Sequence, residues 1–305
     1  MMKERDTLNN IVHQLEQRTY RGEILGREDA RLLCQADLQE VKAAACRVRR
    51  FFSGNNLHFR GVISLPKGVP FSVSAFEREA RILASHGAKR VHIHLGRTPL
   101  SPATLESLCQ SIQFLHKHEG IFIGITHANL TLQEFCQLQN AGCIWYHDFL
   151  GLPRAKFSQL QSITLPYDEK IRLLKLARSA GLEISTGGFF DIGETMEDRI
   201  QLVLEARELG IYGFLVRSPQ WRNERRDWIP SITYEEISRT VAVTRFLLPA
   251  SCIIMEYESN FFTDRGRWLL ESGANGILSG ISTEPFHIAL EEGQDLGREM
   301  GFVIC

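Results

Sequence analysis

The sequence predicts an α/β protein in which short parallel strands alternate with helices. From Asn56 onward, apolar runs of strand length are each followed by an amphipathic stretch of helical length. Helix-start signals such as Ser101-Pro102 and Thr131, and glycines at helix ends such as Gly120, fall at the borders between these runs. Eight strand-and-helix pairs match a (β/α)8 TIM-type barrel, and an open doubly wound sheet produces the same local pattern.

The individual elements are predicted in chain order. Residues 7–51 contain two or three helices and no strand, with start signals at residues 26–30 (GREDA) and 37–40 (DLQE). The strands are predicted at 58–64, 89–95, 121–126, 143–148, 182–186, 212–217, 251–257 and 275–279. The helices that follow them are predicted at 73–86, 101–118, 131–140, 167–180, 195–208, 233–248, 264–272 and 286–299. The chain therefore divides into an N-terminal helical extension, residues 1–55, and a barrel, residues 56–305.

The composition indicates which classes of binding partner are disfavoured and in which cellular compartment the protein is expected. Hydrophobic residues make up 44% of the chain, which is enough for a large core, and 35 basic against 36 acidic side chains leave a net charge of −1. Such a balance does not favour nucleic acid or an anionic membrane as a partner. The charged first six residues lack the apolar region of a signal peptide, and an odd number of cysteines (seven) is typical of free thiols in a reducing compartment. We therefore expect a cytoplasmic protein without a membrane span.

Polar residues alternate along several predicted strands. In the second strand, Arg90, His92 and His94 point to one side, while Val91 and Ile93 point to the other. Because the apolar side of a barrel strand packs under the helices, the histidines are predicted to face the lumen near its C-terminal mouth, where barrel enzymes keep their active sites. The same rule adds the other candidate ligand-binding residues, namely Thr126, His147, Ser185, Arg217, Glu256 and Glu258, and it also directs Trp145 inward.

The residues alone leave several roles open for this set. His92 and His94 match the spacing of metal ligands if Glu256 or His147 converges on them, and they equally suit hydrogen bonding to a ligand or to water. Glu256 and Glu258 fit an acid and base pair, or they fit partners of Arg217. Arg217 alternatively clamps a carboxylate or phosphate. The segment at residues 221–228 (WRNERRDW) is read either as a solvated loop or as a lid or partner contact.

A longer motif carries a family resemblance. Residues 186–199 (TGGFFDIGETMEDR) resemble the fifth strand-to-helix junction of biotin synthases, which belong to the radical SAM superfamily. Residues 140–142 (NAG), 177–181 (ARSAG) and 272–275 (SGAN) precede the fourth, fifth and eighth strands in the same family manner. The resemblance covers nearly the whole chain, and it implies the complete barrel rather than the open sheet.

The resemblance also implies cofactors whose ligands this sequence does not repeat. Radical SAM enzymes of this family hold a [4Fe–4S] cluster through a CxxxCxxC loop after the first strand, where this chain reads LPKGVP at residues 65–70. The family's ligands for a second cluster align with His92, Gly124, Ser185 and Ile254. Positions that contact S-adenosylmethionine and substrate become His147, Phe149 and Gly151. We therefore expect neither an iron–sulfur cluster nor S-adenosylmethionine to be bound, and we expect the cysteines to be mostly buried packing residues.

Three functional hypotheses follow. The first is a degenerate, small-molecule-binding or accessory pseudoenzyme that acts beside a true radical SAM enzyme, as a possible homodimer. The second is a metal- or acid–base-dependent enzyme that uses His92, His94 and Glu256, with a divalent metal as the possible cofactor. The third is an unconventional radical SAM enzyme whose cluster is shared across a subunit interface. The sequence does not name the ligand.

Overall fold

Polar caps determine where the barrel helices begin. The Thr131 hydroxyl accepts a hydrogen bond from the backbone N–H of Glu134 at 3.3 Å, and the Glu134 carboxylate accepts one from the Thr131 backbone at 2.7 Å. Thr195 and Thr233 start their helices with the same reciprocal arrangement. These capping boxes satisfy N–H groups that have no partner inside the helix. They explain why the predicted starts of these three helices, at residues 131, 195 and 233, lie one residue before the observed ones.

A computed structural model of the chain describes residues 2–64, 72–97, 99–160, 165–218, 232–256, 264–280 and 286–305. The strands are β1 Asn56–Ser64, β2 Arg90–His94, β3 Phe122–Thr126, β4 Cys143–His147, β5 Glu183–Phe189, β6 Gly213–Arg217, β7 Cys252–Glu256, β8 Gly276–Gly280 and β9 Val303–Ile304. The α-helices are α1 Met2–Tyr20, α2 Arg27–Gln35, α3 Leu38–Ser53, α4 Val73–Ser85, α5 Pro102–Glu119, α6 Leu132–Asn140, α7 Tyr167–Ser179, α8 Met196–Glu208, α9 Tyr234–Leu247, α10 Arg267–Leu270 and α11 Phe286–Glu299. A 3₁₀ helix spans Arg154–Gln159.

The first eight strands form a closed parallel barrel. Each strand pairs with the next, and β8 pairs in parallel with β1, so that the sheet has no free edge between them. The predicted (β/α)8 TIM-type barrel is confirmed, and the open doubly wound sheet is excluded. The short β9 adds to the start of β1 and was not predicted. β5 extends to Phe189 instead of ending at residue 186, because Gly187 and Gly188 continue its pairing with β6.

The two sides of the barrel strands have different roles. Val91 and Ile93 of β2 are fully buried and belong to the main hydrophobic core, as the alternation predicts. His92 lies at one level of the barrel with Val62 of β1 and Gly124 of β3, which are its pairing partners. The outward-facing side chains thus form the apolar core beneath the helices, and the inward-facing side chains are available to contact a ligand.

The three N-terminal helices pack on the barrel through shared core residues. Val41 and Val48 of α3 are fully buried in the same core as the barrel helices. Arg239 of α9 donates hydrogen bonds to the carbonyl oxygens of Leu33 and Ala36 at 3.1 and 2.9 Å. The division into an extension at 1–55 and a barrel at 56–305 stays a prediction. Among the described helices, none combines the length and the apolar character needed to cross a bilayer.

Candidate functional site

A small cavity in the barrel lumen brings half of the predicted ligand-binding residues together. It has a volume of about 30 Å³, and four of the predicted residues line it. Those four are His92, Thr126, His147 and Ser185. The predicted Trp145 also faces inward, since its indole N–H donates to His92 Nδ1 at 3.0 Å. The predicted Glu258 and the segment 221–228 lie outside the described residues.

His92 is held at the centre of this lumen by an aromatic neighbour. Its ring is buried and lies 5.1 Å, between ring centroids, from Trp145. Burial lowers the pKa of His92 well below its usual range, so the ring is neutral at physiological pH. Both ring nitrogens face neighbours, since Nδ1 accepts from Trp145 and Nε2 lies 3.5 Å from Arg60 Nη1. His92 is therefore placed as a fixed polar contact inside the barrel.

The glycine beside His92 makes room for Trp145. Gly124 pairs with His92 on one side and with Trp145 on the other. A Cβ built on Gly124 would collide with the indole ring, above all with its Nε1 atom. The position that the family resemblance assigned to a cluster ligand on strand three is thus occupied by the indole that bonds His92.

We expect Gly124→Ala to lower the free energy of unfolding by about 1–3 kcal/mol, because the added methyl group displaces Trp145 from a packed lumen. Urea denaturation followed by tryptophan fluorescence measures this change. Gly26→Ala is the matched control, since its nearest neighbour would lie 3.9 Å from the new Cβ and its φ of −103° suits alanine. Equal unfolding free energies for the two variants would contradict the packing argument.

A row of histidines leads from the lumen to its C-terminal mouth. The His94 and His127 rings lie 4.7 Å apart, and the His127 and His147 rings lie 6.1 Å apart. His147 Nδ1 lies 3.0 Å from the Ser185 hydroxyl. Burial lowers the pKa of His147 to about 3, and it lowers the pKa of His127 well below its usual range. The row is therefore uncharged at neutral pH, and it offers hydrogen-bonding nitrogens rather than positive charge.

His127 was missed by the sequence interpretation. It follows β3 directly, and its backbone has φ of +52°, a left-handed conformation that is uncommon for a residue other than glycine. Such strain is found preferentially where a side chain must be aimed at a site. The signal in the sequence was a histidine placed directly after a barrel strand.

Asp148 organises the charges at the mouth. It is fully buried, and its Oδ1 accepts hydrogen bonds from Arg97 Nη2 at 2.7 Å and from Lys170 Nζ at 3.1 Å. The Tyr146 hydroxyl lies 3.0 Å from the other oxygen, Oδ2. Burial acts to raise the pKa of Asp148, but the hydrogen bond from Arg97 and the charges of Lys170 and Arg97 outweigh it and lower the pKa to about 2. Asp148 therefore stays ionised and fixes both cations.

The charged residues of strands six and seven form a pair. Arg217 Nε lies 2.8 Å from Glu256 Oε2, and both side chains are largely buried. Of the alternatives left open for Arg217, the pairing with a lumen glutamate is the one that occurs.

The predicted metal site at His92, His94 and Glu256 is not assembled. Within the described ranges, no group of three histidine, cysteine or carboxylate side chains is placed to hold a metal ion. Local contacts give the reason, because Trp145 and Arg60 face the two nitrogens of His92 and Arg217 holds Glu256. The spacing in the sequence showed that these residues share the lumen, but it did not reveal these competing partners.

Comparison with known proteins tests the family resemblance. No protein-family model matches the chain. A biotin synthase from Clostridium botulinum is 26% identical, over 97% of this chain and 100% of that protein. A biotin synthase from Akkermansia muciniphila is 28% identical, over 97% of this chain and 99% of that protein.

Solved structures agree on the architecture. Methylornithine synthase superposes with a TM-score of 0.77 at 14% identity, over 95% of this chain and 97% of that one. The chain therefore shares the barrel fold of methylornithine synthase, and its sequence is similar to biotin synthases over nearly its whole length. The [FeFe]-hydrogenase maturase HydG from Carboxydothermus hydrogenoformans has a TM-score of 0.75 at 18% identity, over 99% of this chain and 81% of that one.

These relatives overturn two of the sequence-based predictions. End-to-end similarity to curated biotin synthases points to a radical SAM enzyme, which contradicts the prediction of a cluster-free accessory pseudoenzyme. The same relatives imply a [4Fe–4S] cluster and S-adenosylmethionine, which contradicts the prediction that both are absent. The predictions failed because they gave more weight to the replaced ligand residues than to the similarity with biotin synthases along the whole chain.

The described residues do not by themselves form the ligand set of such a cluster. All seven cysteines belong to the described ranges, and all seven thiols are free. Cys143 and Cys252 are buried in β4 and β7, whereas Cys34, Cys46, Cys109 and Cys136 lie on four different helices. No three metal-binding side chains of the described part converge, so this part of a single chain does not fit a [4Fe–4S] cluster.

Proposed function

We propose that the protein is an enzyme of the radical SAM type that acts on a small organic molecule held in the lumen of its barrel. The observation that carries this proposal is the convergence of polar side chains on the lumen and its C-terminal mouth in a fold of the biotin synthase type. The curated biotin synthases that match the chain from end to end support the choice of class.

The chain's own residues would bind and orient the substrate. Ser185 and Thr126 offer hydroxyl groups in the lumen, and neutral His147 offers a ring nitrogen beside Ser185. Arg97 and Lys170 are held in place by Asp148, so they present positive charge at the mouth. Because these side chains are already ordered, they lose little conformational entropy when a substrate binds. The site thus combines uncharged hydrogen-bonding groups in the lumen with fixed cations at its C-terminal mouth.

If a cluster is bound through cysteines, its ligands come from more than one subunit, because no three metal-binding side chains of the described part converge within one chain. The homodimer predicted from the sequence is the simplest assembly of that kind. Cysteines of both protomers would then contribute to one cluster.

Anaerobic reconstitution with iron and sulfide tests the proposal. We expect brown, oligomeric protein that contains iron and sulfide together, and that cleaves S-adenosylmethionine when a reductant is added. Protein treated in the same way without iron is the control, and light scattering measures the oligomeric state. Colourless protein without bound iron after reconstitution would overturn the proposal.

A further inference from the structure

A fully buried arginine stands in the barrel lumen, where no described carboxylate is in ion-pairing contact with it, although Glu183 interacts with it electrostatically at longer range. Arg60 of β1 has no exposed surface, and its Nε and Nη2 atoms have no hydrogen-bond partner within the described ranges. Its guanidinium carbon lies 5.4 Å from the ring centroid of Trp145 and 5.5 Å from that of Tyr212. These aromatic faces stabilise a cation only in part, because they accept none of its in-plane hydrogen bonds.

The remaining polar contact of Arg60 is not a hydrogen bond. The indole N–H of Trp145 can only donate, so His92 Nδ1, which receives it at 3.0 Å, carries no proton. The neutral His92 ring must then hold its proton on Nε2. That atom lies 3.5 Å from Arg60 Nη1, so two N–H donors face the same space with no acceptor between them.

Another buried arginine shows how this chain satisfies a guanidinium that has a structural role. Arg245 is equally buried, and its Nε donates to the Gly273 carbonyl at 3.0 Å. Its Nη1 donates to the Ser251 carbonyl at 2.7 Å, and its Nη2 donates to Asn275 Oδ1 at 2.8 Å. Arg245 therefore needs no ligand. Arg60 differs because its donors have been left open.

The side chain of Arg60 also lines the lumen cavity. Arg60 and His92 line it together with the hydroxyl-bearing Thr126 and Ser185, and apolar walls complete it. A volume of about 30 Å³ holds about two water-sized groups, which matches the two oxygens of a carboxylate.

We propose that Arg60 and His92 bind a carboxylate group in the lumen. Arg60 would supply charge and planar donors, and His92 Nε2–H would supply a further hydrogen bond. The carboxylate belongs either to a free small anion or to the end of a larger substrate that reaches down from the mouth. If the carboxylate is the end of a larger substrate, this inference deepens the proposed function and rests on it. If the carboxylate is a free small anion, the inference is independent of the proposed function.

Formate binding to the purified chain tests the site. We expect a saturable rise in melting temperature when sodium formate replaces sodium HEPES at constant ionic strength. Arg60→Met should weaken the apparent affinity by about tenfold or more, because it removes the charged donors while keeping a similar volume. Arg49→Met is the control, since Arg49 is also buried but contacts Asn55 and Phe302 and does not line the lumen cavity. An unchanged formate response in Arg60→Met would overturn the proposal.

A second measurement does not depend on that variant folding. Crystals of the wild-type protein grown with formate should show planar density within hydrogen-bonding distance of the Arg60 guanidinium. The same crystals with an empty lumen at saturating formate would overturn the proposal.

Longer carboxylates identify the source. Competition that strengthens from propionate to octanoate supports a substrate that extends toward the mouth, whereas binding restricted to formate supports a free small anion. Because these assays need no cluster and no turnover, failed reconstitution would overturn the proposed function and leave the carboxylate result intact.

Discussion

Replacing Asp148 by asparagine is expected to lower the free energy of unfolding by about 3–5 kcal/mol, since breaking a buried ion pair leaves uncompensated charge in the interior. Asp148 is fully buried, and it accepts hydrogen bonds from Arg97 at 2.7 Å and from Lys170 at 3.1 Å. The asparagine side chain has nearly the same shape, so packing is preserved while the negative charge is lost. Both cations then remain near each other without the negative charge that balances them, although the amide oxygen can still accept a hydrogen bond.

A surface pair provides the matched comparison for Asp148. Asp168 lies 2.6 Å from Arg154, a similar distance, but its side chain is 78% exposed. Because water solvates both members of an exposed pair, Asp168→Asn should leave the unfolding free energy close to that of the wild type. Urea denaturation at pH 7.5 measures both variants. If Asp148→Asn proved as mild as Asp168→Asn, the buried network would not stabilise the mouth.

The sequence predicted the barrel well because its signals are local. Threonine caps such as Thr131 and Thr195 act within four residues, and the alternation along β2 depends on strand geometry alone. Closure of the barrel required pairing of β8 with β1, which is not a local property. The resemblance to biotin synthases supplied that step, and the structure confirmed it.

The site could be predicted only in part, because partners are chosen by three-dimensional packing. The inward direction of His92 followed from the period of the strand, but its bond to Trp145 depends on the absence of a side chain at Gly124. Asp148 follows β4 directly, and its cation Lys170 comes from a helix later in the chain. Arg60 was missed although the first strand alternates polar His58 and Arg60 with apolar Phe59, because the sequence interpretation considered only the loop after this strand.

Acidification is expected to destabilise the protein steeply below pH 6.5, because its buried histidines must fold uncharged. Burial lowers the pKa of His147 to about 3 and that of His58 to about 4, against 6.5 as the ordinary value. Burial also lowers the pKa of His92, His94 and His127. Below pH 6.5 the unfolded chain therefore binds protons that the folded chain excludes, so stability is complete above this pH and falls with the pH.

The magnitude and the pH window separate this effect from that of Asp148. For His147 alone, lowering the pH from 7 to 4.5 should remove about 2–3 kcal/mol from the unfolding free energy. The pKa of Asp148 is lowered from 3.8 to about 2, so its contribution is present above pH 3.8 and is lost only below it. Loss of stability between pH 6.5 and 4.5 thus reports mainly on the buried histidines.

Urea denaturation at a series of pH values from 7.5 to 4.5 measures the dependence, and His147→Asn isolates one residue. This variant removes a group that takes up a proton on unfolding, so its stability should fall less steeply with pH than that of the wild type. His13→Asn is the control, since the His13 side chain is 67% exposed on α1 and is hydrated in both states. A His147→Asn profile parallel to the wild-type profile would mean that His147 accepts its proton as easily in the folded barrel as in the unfolded chain, and the neutral histidine row would then have to be abandoned.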